Sequence, residues 1–384
     1  MSGSAGRGEF ASFPRHPLTI VRGSGAHLWA DDGRRYVDLG ASHGTANMGH
    51  AHPRIVAAIA EQAQRLIQLA PSYGAPSRTA FVDRLFDLLP PSLDRVYLSN
   101  SGTESVEAAI KFARSATGRP KVVAARRAFH GRTMGSLSAT WRPEFRAPFE
   151  PLVPGFVHVP FNDAAALEAA VDEQTALVLL EPVQGEGGVH VADPGFLAAA
   201  RRATERAGAL LAFDEVQSGL GRTGRTFAFE HSGVVPDLLT LGKSLAGGLP
   251  VGATITTAEV ERRFRGSHQS TFGGNPVVMA AADAALAVLV EEHLADRAAR
   301  LGDRAIGRLR SFQSSELREV RGVGLLIGLE LKGRAAPILE RLRDRGYLAL
   351  AAGANVIRLL PPLVIDEADW EVGIDALGEL MGDG

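Results

Sequence analysis

The sequence predicts an α/β fold, with a large domain whose mainly parallel sheet is covered by helices and a smaller α+β domain after it. Three observations carry this. Between Arg95 and Thr240 short apolar runs alternate with segments of helical periodicity, the pattern of a parallel sheet with crossover helices. After Pro276 the alternation gives way to a long Ala/Leu/Arg helical region and then to extended runs around one further helix. The chain's 384 residues are enough for one large core or for two domains.

In chain order, residues 1–17 read as a flexible N-terminal arm and 18–52 as a segment that packs with the small domain. Residues 53–285 then form the large domain and 286–384 the small one. From His27, His-Leu-Trp-Ala-Asp-Asp-Gly-Arg-Arg-Tyr-Val-Asp-Leu reads as a hairpin around an Asp-Asp-Gly turn. Residues 40–52, rich in Gly, His and Asn, form a loop that brings polar groups to a site. Pro53 opens a helix with Ile55, Val56, Ile59, Ala63, Leu66 and Ile67 at helical spacing, and 77–89 reads as another. Strands are expected at 96–98, 121–125, 156–159, 176–180, 210–213 and 238–241, with helices at 104–116, 164–171 and 195–207. Ligands of such a sheet bind at the carboxyl ends of its strands. Beyond 276, a helical region to about Phe312 precedes the run 320–331, a helix over 336–345 and a strand over 355–360.

Bulk properties exclude several classes. A net charge of −2 gives no general affinity for nucleic acid or membrane surfaces. No apolar run reaches the roughly 20 residues of a spanning helix, and the polar, Gly/Ser-rich start is no signal sequence, so a cytoplasmic location is expected. The chain has no cysteine, which removes disulfide and thiolate chemistry, and no His/Asp/Glu cluster has metal-ligand spacing.

Three stretches carry chemistry. Asp237-Leu-Leu-Thr-Leu-Gly-Lys243 sets a single amine where an apolar run stops, with Gly242 freeing the backbone to turn. Only four of the 41 basic residues are lysines, so a lysine in an apolar setting points to amine chemistry. A desolvated Lys243 is a nucleophile at neutral pH; the alternative is a surface lysine in a Gly-rich loop. Leu98-Ser-Asn-Ser-Gly-Thr-Glu104 joins a strand to a helix, and Ser101, Gly102 and Thr103 put N–H groups and hydroxyls at the helix N-terminus, a cradle for a lone phosphate monoester. The alternative there is a capping box, Ser101 with Glu104. Asp214 ends a buried strand, where an ionised carboxylate needs a cationic partner such as a protonated pyridine nitrogen. Gln217 is within reach of a phenolic oxygen on the same ring. A buried cap is the alternative for Asp214.

Together, cradle, strand-end carboxylate and downstream lysine are what pyridoxal 5'-phosphate requires. With Asn100-Ser-Gly-Thr-Glu, Phe129-His-Gly-Arg-Thr, Glu181-Pro-Val-Gln-Gly-Glu-Gly-Gly, Asp214-Glu-Val-Gln, Lys243, Ser270-Thr-Phe-Gly-Gly-Asn-Pro and Arg358-Leu-Leu-Pro-Pro-Leu, the chain resembles a class III (ornithine/acetylornithine type) aminotransferase along nearly its whole length. The resemblance implies the type I fold of the pyridoxal-phosphate-dependent transferases. It makes Lys243 the covalent anchor and proton shuttle, Asp214 the partner of the ring nitrogen and Gln217 that of the ring oxygen. Phe129 and Val216 sandwich the ring, and Gly102 and Thr103 take the phosphate. Thr271 reaches the phosphate of a neighbouring subunit, so the sites of a homodimer are shared.

Two substrates must be held in turn, and their carboxylates call for bidentate arginines. By resemblance Arg358 holds the α-carboxylate of glutamate and Arg132 its distal one, with Ser270 also at the substrate. Glu186 pairs with Arg358 and masks it when the other substrate, a terminal amine or semialdehyde, is present. His43 stands where relatives often carry an aromatic residue whose hydroxyl assists Arg132; it replaces that contact or marks a different substrate. Within the family, Phe129 through Phe149 and Leu348-Ala-Leu-Ala-Ala-Gly most resemble enzymes whose semialdehyde is tethered to a small acidic LysW-type carrier in lysine and arginine biosynthesis. The alternative is N-acetylornithine aminotransferase; an aminomutase or decarboxylase on the same fold is more remote. A basic run, Arg119, Lys121, Arg126, Arg127, Arg142 and Arg146, is the expected docking rim for an acidic carrier.

Overall fold

Runs of Val, Leu, Ile and Ala too apolar to face water on either side make the inner strands of the central sheet. In the computed structural model, which describes Phe10, His16 and residues 18–382, the arm expected over 1–17 otherwise lies outside the described residues. The sheet has seven strands in the order Arg95–Ser99, Gly252–Thr256, Leu238–Leu241, Leu210–Asp214, Thr175–Leu180, Lys121–Ala125, Phe156–Val159. Six match the predicted runs. The seventh, Gly252–Thr256, is absent from the sequence-based assignment and runs antiparallel to both its neighbours, with Thr254 opposite Tyr97 and Thr240. All six others are therefore parallel, and their carboxyl ends share one edge.

Both faces of the sheet are covered, so alternate residues of one strand enter different cores. Leu210 and Ala212 pack with Val106, Ile110 and Ala113 of helix Gly102–Thr117. Leu211 and Phe213 face the other way, with Phe196, Leu197 and Ala200 of helix Pro194–Ala207.

The hairpin at His27 forms as predicted, His27–Ala30 against Arg35–Asp38 with Leu28 opposite Tyr36. Its second strand pairs in parallel with Tyr347–Leu348, Val37 opposite Tyr347, which stitches the start of the chain to its last third. The long helical region after Pro276 is two helices, Pro276–Glu291 and Leu294–Ser311, broken where His293 takes φ +51°. Strands Leu317–Val323 and Leu326–Leu331 form a hairpin that continues into Val356–Leu359 and Leu350–Ala351. A helix not expected from the sequence, Glu367–Gly382, closes this part by burying Trp370, Ile374 and Leu377.

One buried arginine joins the parts. Arg222 donates to the carbonyls of Leu325 (2.8 Å) and Pro361 (2.7 Å) and to Asn47 Oδ1 (2.6 Å). Burial lowers its pKa to about 9, the charge of Asp38 opposing this in part. Among the described residues no helix is long and apolar enough to cross a membrane.

Candidate active site

The strand Leu238–Leu241 is wholly buried and ends two residues before Lys243. Gly242 is not the turning residue: its φ of −177° is extended backbone, and the left-handed position is Lys243 itself, at φ +44°. A side chain there costs about 1–2 kcal/mol in that conformation, strain of the kind that collects at functional sites. The glycine serves close approach, since a Cβ on Gly242 would lie 3.1 Å from Cα and N of Gly102. Burial lowers the pKa of the Lys243 amine, against the charges of Glu186 and Asp214, which raise it. The net shift is toward the neutral, nucleophilic form.

Asp214, on the neighbouring strand, is held on both oxygens. Oδ1 accepts from Thr240 Oγ1 and from the Val216 N–H, each at 3.1 Å. Oδ2 lies 2.7 Å from His130 Nδ1, which donates because an ionised carboxylate can only accept. His130 is buried, and its Nε2 has no partner among the described residues. It belongs to the Phe129-His-Gly-Arg-Thr motif but receives no role from sequence alone; its contact with Asp214, 84 residues away, is made only by the fold. Glu181 is buried beside them and accepts from the Phe129 N–H at 3.1 Å. Burial and the charge of Asp214 push its pKa well above its ordinary value.

At the first strand's end the capping box is realised. Ser101 accepts from the Glu104 N–H (3.3 Å) and donates to Glu104 Oε2 (3.0 Å), which commits the hydroxyl expected at the phosphate. Gly102 and Thr103 line the cavity. A Cβ on Gly102 would sit 2.5 Å from Val216 Cγ1, so only glycine lets the helix start against that side chain. Thr103 Oγ1 bonds Ser136 Oγ (2.6 Å) and Thr133 Oγ1 (2.9 Å) and fastens the loop bearing Arg132. Gly131, at φ +134°, has no room for a side chain beside that hydroxyl.

The two arginines differ. Arg132 is exposed on the cavity wall, its guanidinium 4.4 Å from the Phe145 ring centroid and 5.6 Å from that of Phe129. The Arg358 side chain is fully buried, its Nη1 2.7 Å from Glu186 Oε1 and 3.0 Å from Gln217 Oε1. Burial alone would raise the pKa of Glu186, but His43 and the charges of Arg358 and Lys243 hold it well below the carboxylate range. Gln217 lines the cavity, yet its amide is engaged by Arg358 and by the His43 carbonyl (3.3 Å) rather than left free for a ring oxygen. Of the two readings of His43, the contact to Arg132 is not formed among the described residues; its Nδ1 lies 3.4 Å from Arg358 Nη2 and 3.8 Å from Glu186 Oε1.

Lys243, Asp214, Gly102, Thr103, Phe129, Val216, Arg132, Glu186 and Gln217 thus surround one cavity of about 290 Å³. Ser270 and Thr271 stand outside it. Ser270 Oγ bonds Asn100 (3.0 Å), and Thr271, exposed, accepts from Gln68 Nε2 through its carbonyl (2.7 Å). The basic run divides. Lys121 starts its strand and pairs with Asp172 (2.8 Å), while Arg119 caps the carbonyls of Thr175 and Ala207, both at the edge opposite the site. Arg126 and Arg127 are exposed, and Arg142 donates to the Glu186 carbonyl (3.3 Å).

A buried amine, a donor-held carboxylate, a helix N-terminus and two arginines at the carboxyl edge of this sheet define an amino-group transferase, and the chain belongs to the class III aminotransferases, whose family model matches residues 11–381. It is similar to the acetylornithine aminotransferase of Methanopyrus kandleri, 48% identical over 96% of each chain. It is also similar to the [LysW]-aminoadipate semialdehyde transaminase of Deinococcus radiodurans, 46% identical over 96% of this chain and 87% of that one. Among solved structures, the ornithine aminotransferase of Toxoplasma gondii superposes with a TM-score of 0.93 at 35% identity, covering 96% of this chain and 91% of that one.

Class III aminotransferases depend on pyridoxal 5'-phosphate, and this cavity fits it. Its donor set supplies an amine, a fixed anion and a helix N-terminus. The space a Cβ on Gly102 would need is already taken by Val216, leaving the first N–H groups of that helix open to a phosphate.

Proposed function

We propose that this chain transfers an amino group between glutamate/2-oxoglutarate and the terminal amine or semialdehyde of an amino acid borne on a small acidic carrier protein, working in the cytoplasm as a homodimer with shared sites. The observation that carries the two-substrate reading is the ion pair between Glu186 and the buried Arg358 (2.7 Å). An enzyme that never receives a second carboxylate gains nothing from a reversible mask over a second arginine. An aminomutase or decarboxylase is disfavoured on this ground.

In this reading Asp214, held in place by its donors and by His130, faces the ring nitrogen, and Gly102 and Thr103 hold the phosphate. Phe129 and Val216 flank the ring. Bound there, the cofactor draws electrons from the bond to the hydrogen on the substrate's amine-bearing carbon. Lys243 Nζ anchors the cofactor between turnovers, takes that proton and returns it. Arg358 receives the α-carboxylate of glutamate once Glu186 swings aside, with Arg132 on the distal carboxylate. For the other substrate Glu186 re-forms its pair, and Arg132 alone meets a carboxylate. Thr271, exposed and outside its own chain's cavity, is assigned to the partner's phosphate.

The carrier reading is supported by the kinship with the Deinococcus transaminase and by exposed Arg126 and Arg127 next to the Arg132 loop, a suitable rim for an acidic partner. The kinship with acetylornithine aminotransferases favours a free acetylated substrate instead. The test is a half-reaction screen, in which the enzyme converted to its amine form by glutamate meets carrier-tethered and acetylated semialdehydes. Preference for the acetylated one overturns the carrier reading, and no turnover with either overturns the semialdehyde reading.

A further inference from the structure

His43 is displayed at a cost. Ala41, Ser42 and His43 all take left-handed backbone, φ +42°, +49° and +62°, each about 1–2 kcal/mol above the usual conformation. The turn is over-determined from beneath. Asp38 Oδ1 accepts from the N–H groups of Gly40 and Ala41 (2.8 Å each), while Oδ2 lies 2.7 Å from His50 Nε2. From above, Gln217 Nε2 donates to the His43 carbonyl (3.3 Å). All this fixes an imidazole whose side chain is 62% exposed and buries no core. Strain held in place around an exposed titratable ring points to use of the ring.

One nitrogen of that ring faces both members of the ion pair. Nδ1 is 3.4 Å from Arg358 Nη2 and 3.8 Å from Glu186 Oε1. Bare, it accepts from the guanidinium and helps to hold Arg358 against Glu186. Protonated, it repels Arg358 and attracts Glu186. The charged groups facing it from the surrounding elements are Glu186 on the 184–190 turn and Arg358 on strand Val356–Leu359, with Lys243 acting on Glu186 from within the cavity; Gln217 carries no charge.

We infer that His43 is a positioning residue that sets how readily the Glu186–Arg358 pair opens, closing it when the imidazole is neutral and loosening it when protonated, and so biases the enzyme between its two substrates. This rests on Arg358 being the receptor of the α-carboxylate. Mild acidity then favours the dicarboxylate, and alkaline conditions favour the substrate that leaves Arg358 masked.

The test uses holoenzyme and glutarate, which has both carboxylates and no amine to react. Calorimetric affinity is measured between about pH 5 and 8, where histidine changes charge, for the wild type and His43→Asn. Asparagine tolerates the left-handed backbone and keeps an uncharged acceptor near the place of Nδ1. The wild type should tighten toward the acid end about five-fold more than the variant; parallel curves overturn the inference. By reciprocity, saturating glutarate should raise the midpoint of the His43 imidazole resonance in wild-type enzyme, and an unmoved midpoint overturns it even if the variant fails to fold. Glu186→Ala separates the two levels. If it changes both half-reactions equally, the masking reading falls and the role of His43 with it. If it changes them in opposite directions while the His43 measurements stay flat, only the inference about His43 fails.

Discussion

Glu186→Ala should make the enzyme better with one substrate and worse with the other. The charge centres of the Glu186–Arg358 pair are about 4 Å apart, which at the effective dielectric of a protein site is an attraction of about 4 kcal/mol. Glu186 is 30% exposed, and solvent reduces this to about 2 kcal/mol. That energy is surrendered each time a substrate carboxylate takes Arg358. Without Glu186 the dicarboxylate meets an unmasked guanidinium, and half-saturation by glutamate should fall about 5- to 30-fold. The amine substrate offers Arg358 nothing. The variant must then leave a buried cation without its counter-charge, a change that costs up to about 3–5 kcal/mol in closed sites, so that half-reaction should slow at least about ten-fold. Single-turnover absorbance kinetics, with each substrate mixed separately against the appropriate enzyme form, reads both directions. Equal losses for the two substrates, or a loss confined to glutamate, would refute the reasoning.

Asp214→Asn keeps the shape but turns one acceptor into a donor against His130 or Thr240; the glutamate half-reaction should fall about 100-fold or more with cofactor still bound, and a retained rate would reduce Asp214 to a structural cap. Arg222→Leu removes three hydrogen bonds that link the start of the chain to its last third; a loss of about 3 kcal/mol in denaturant-derived stability is expected, and an unchanged midpoint refutes it. His158, whose Nε2 bonds the Ala139 carbonyl at 2.9 Å, is held neutral by burial, with its pKa lowered from 6.5 to about 4. The unfolded chain therefore takes up the proton first, and stability is present above pH 6.5 and is lost as the pH falls toward 4, by about 2 kcal/mol at pH 5. His158→Gln should flatten that part of the stability profile, and coincident profiles for variant and wild type refute the assignment.

What the sequence makes legible and what it hides follow from range. The six parallel strands are four to six residues long and mostly apolar, the inner ones buried on both faces, and such runs announce themselves. Gly252–Thr256 alternates Thr with Ala and Ile after Gly-Gly-Leu-Pro-Val, which reads as the tail of a loop; its β-branched residues are the signal that could have found it. Lys243 and Asp214 stand out because each is a polar residue at the end of an apolar run. Which backbone position turns was hidden, because Gly242 is needed to clear Gly102, a neighbour 140 residues earlier in the chain. His43 shows the same limit: its loop is visible in the sequence, but the strained turn aims the ring at Arg358 instead of Arg132. Charge runs mislead for a geometric reason. Arg119 precedes, and Lys121 starts, the strand whose far end leads to Arg126 and Arg127, so neighbours in sequence stand at opposite edges of the sheet.

Among the described strands, Arg95–Ser99, which leads into helix Gly102–Thr117, is hydrogen-bonded only to Gly252–Thr256. On the ribosome it must wait for about 150 further residues, roughly 8 to 30 s of synthesis, with Tyr97 and Leu98 on an unpaired edge. Closing a loop of that length costs about 4 kcal/mol in chain entropy, which only the completed sheet offsets. Chains released before residue 256 therefore leave Arg95–Ser99 without its strand partner. Slow translation through this interval should thus leave exposed strand edges, the state that aggregates or engages chaperones.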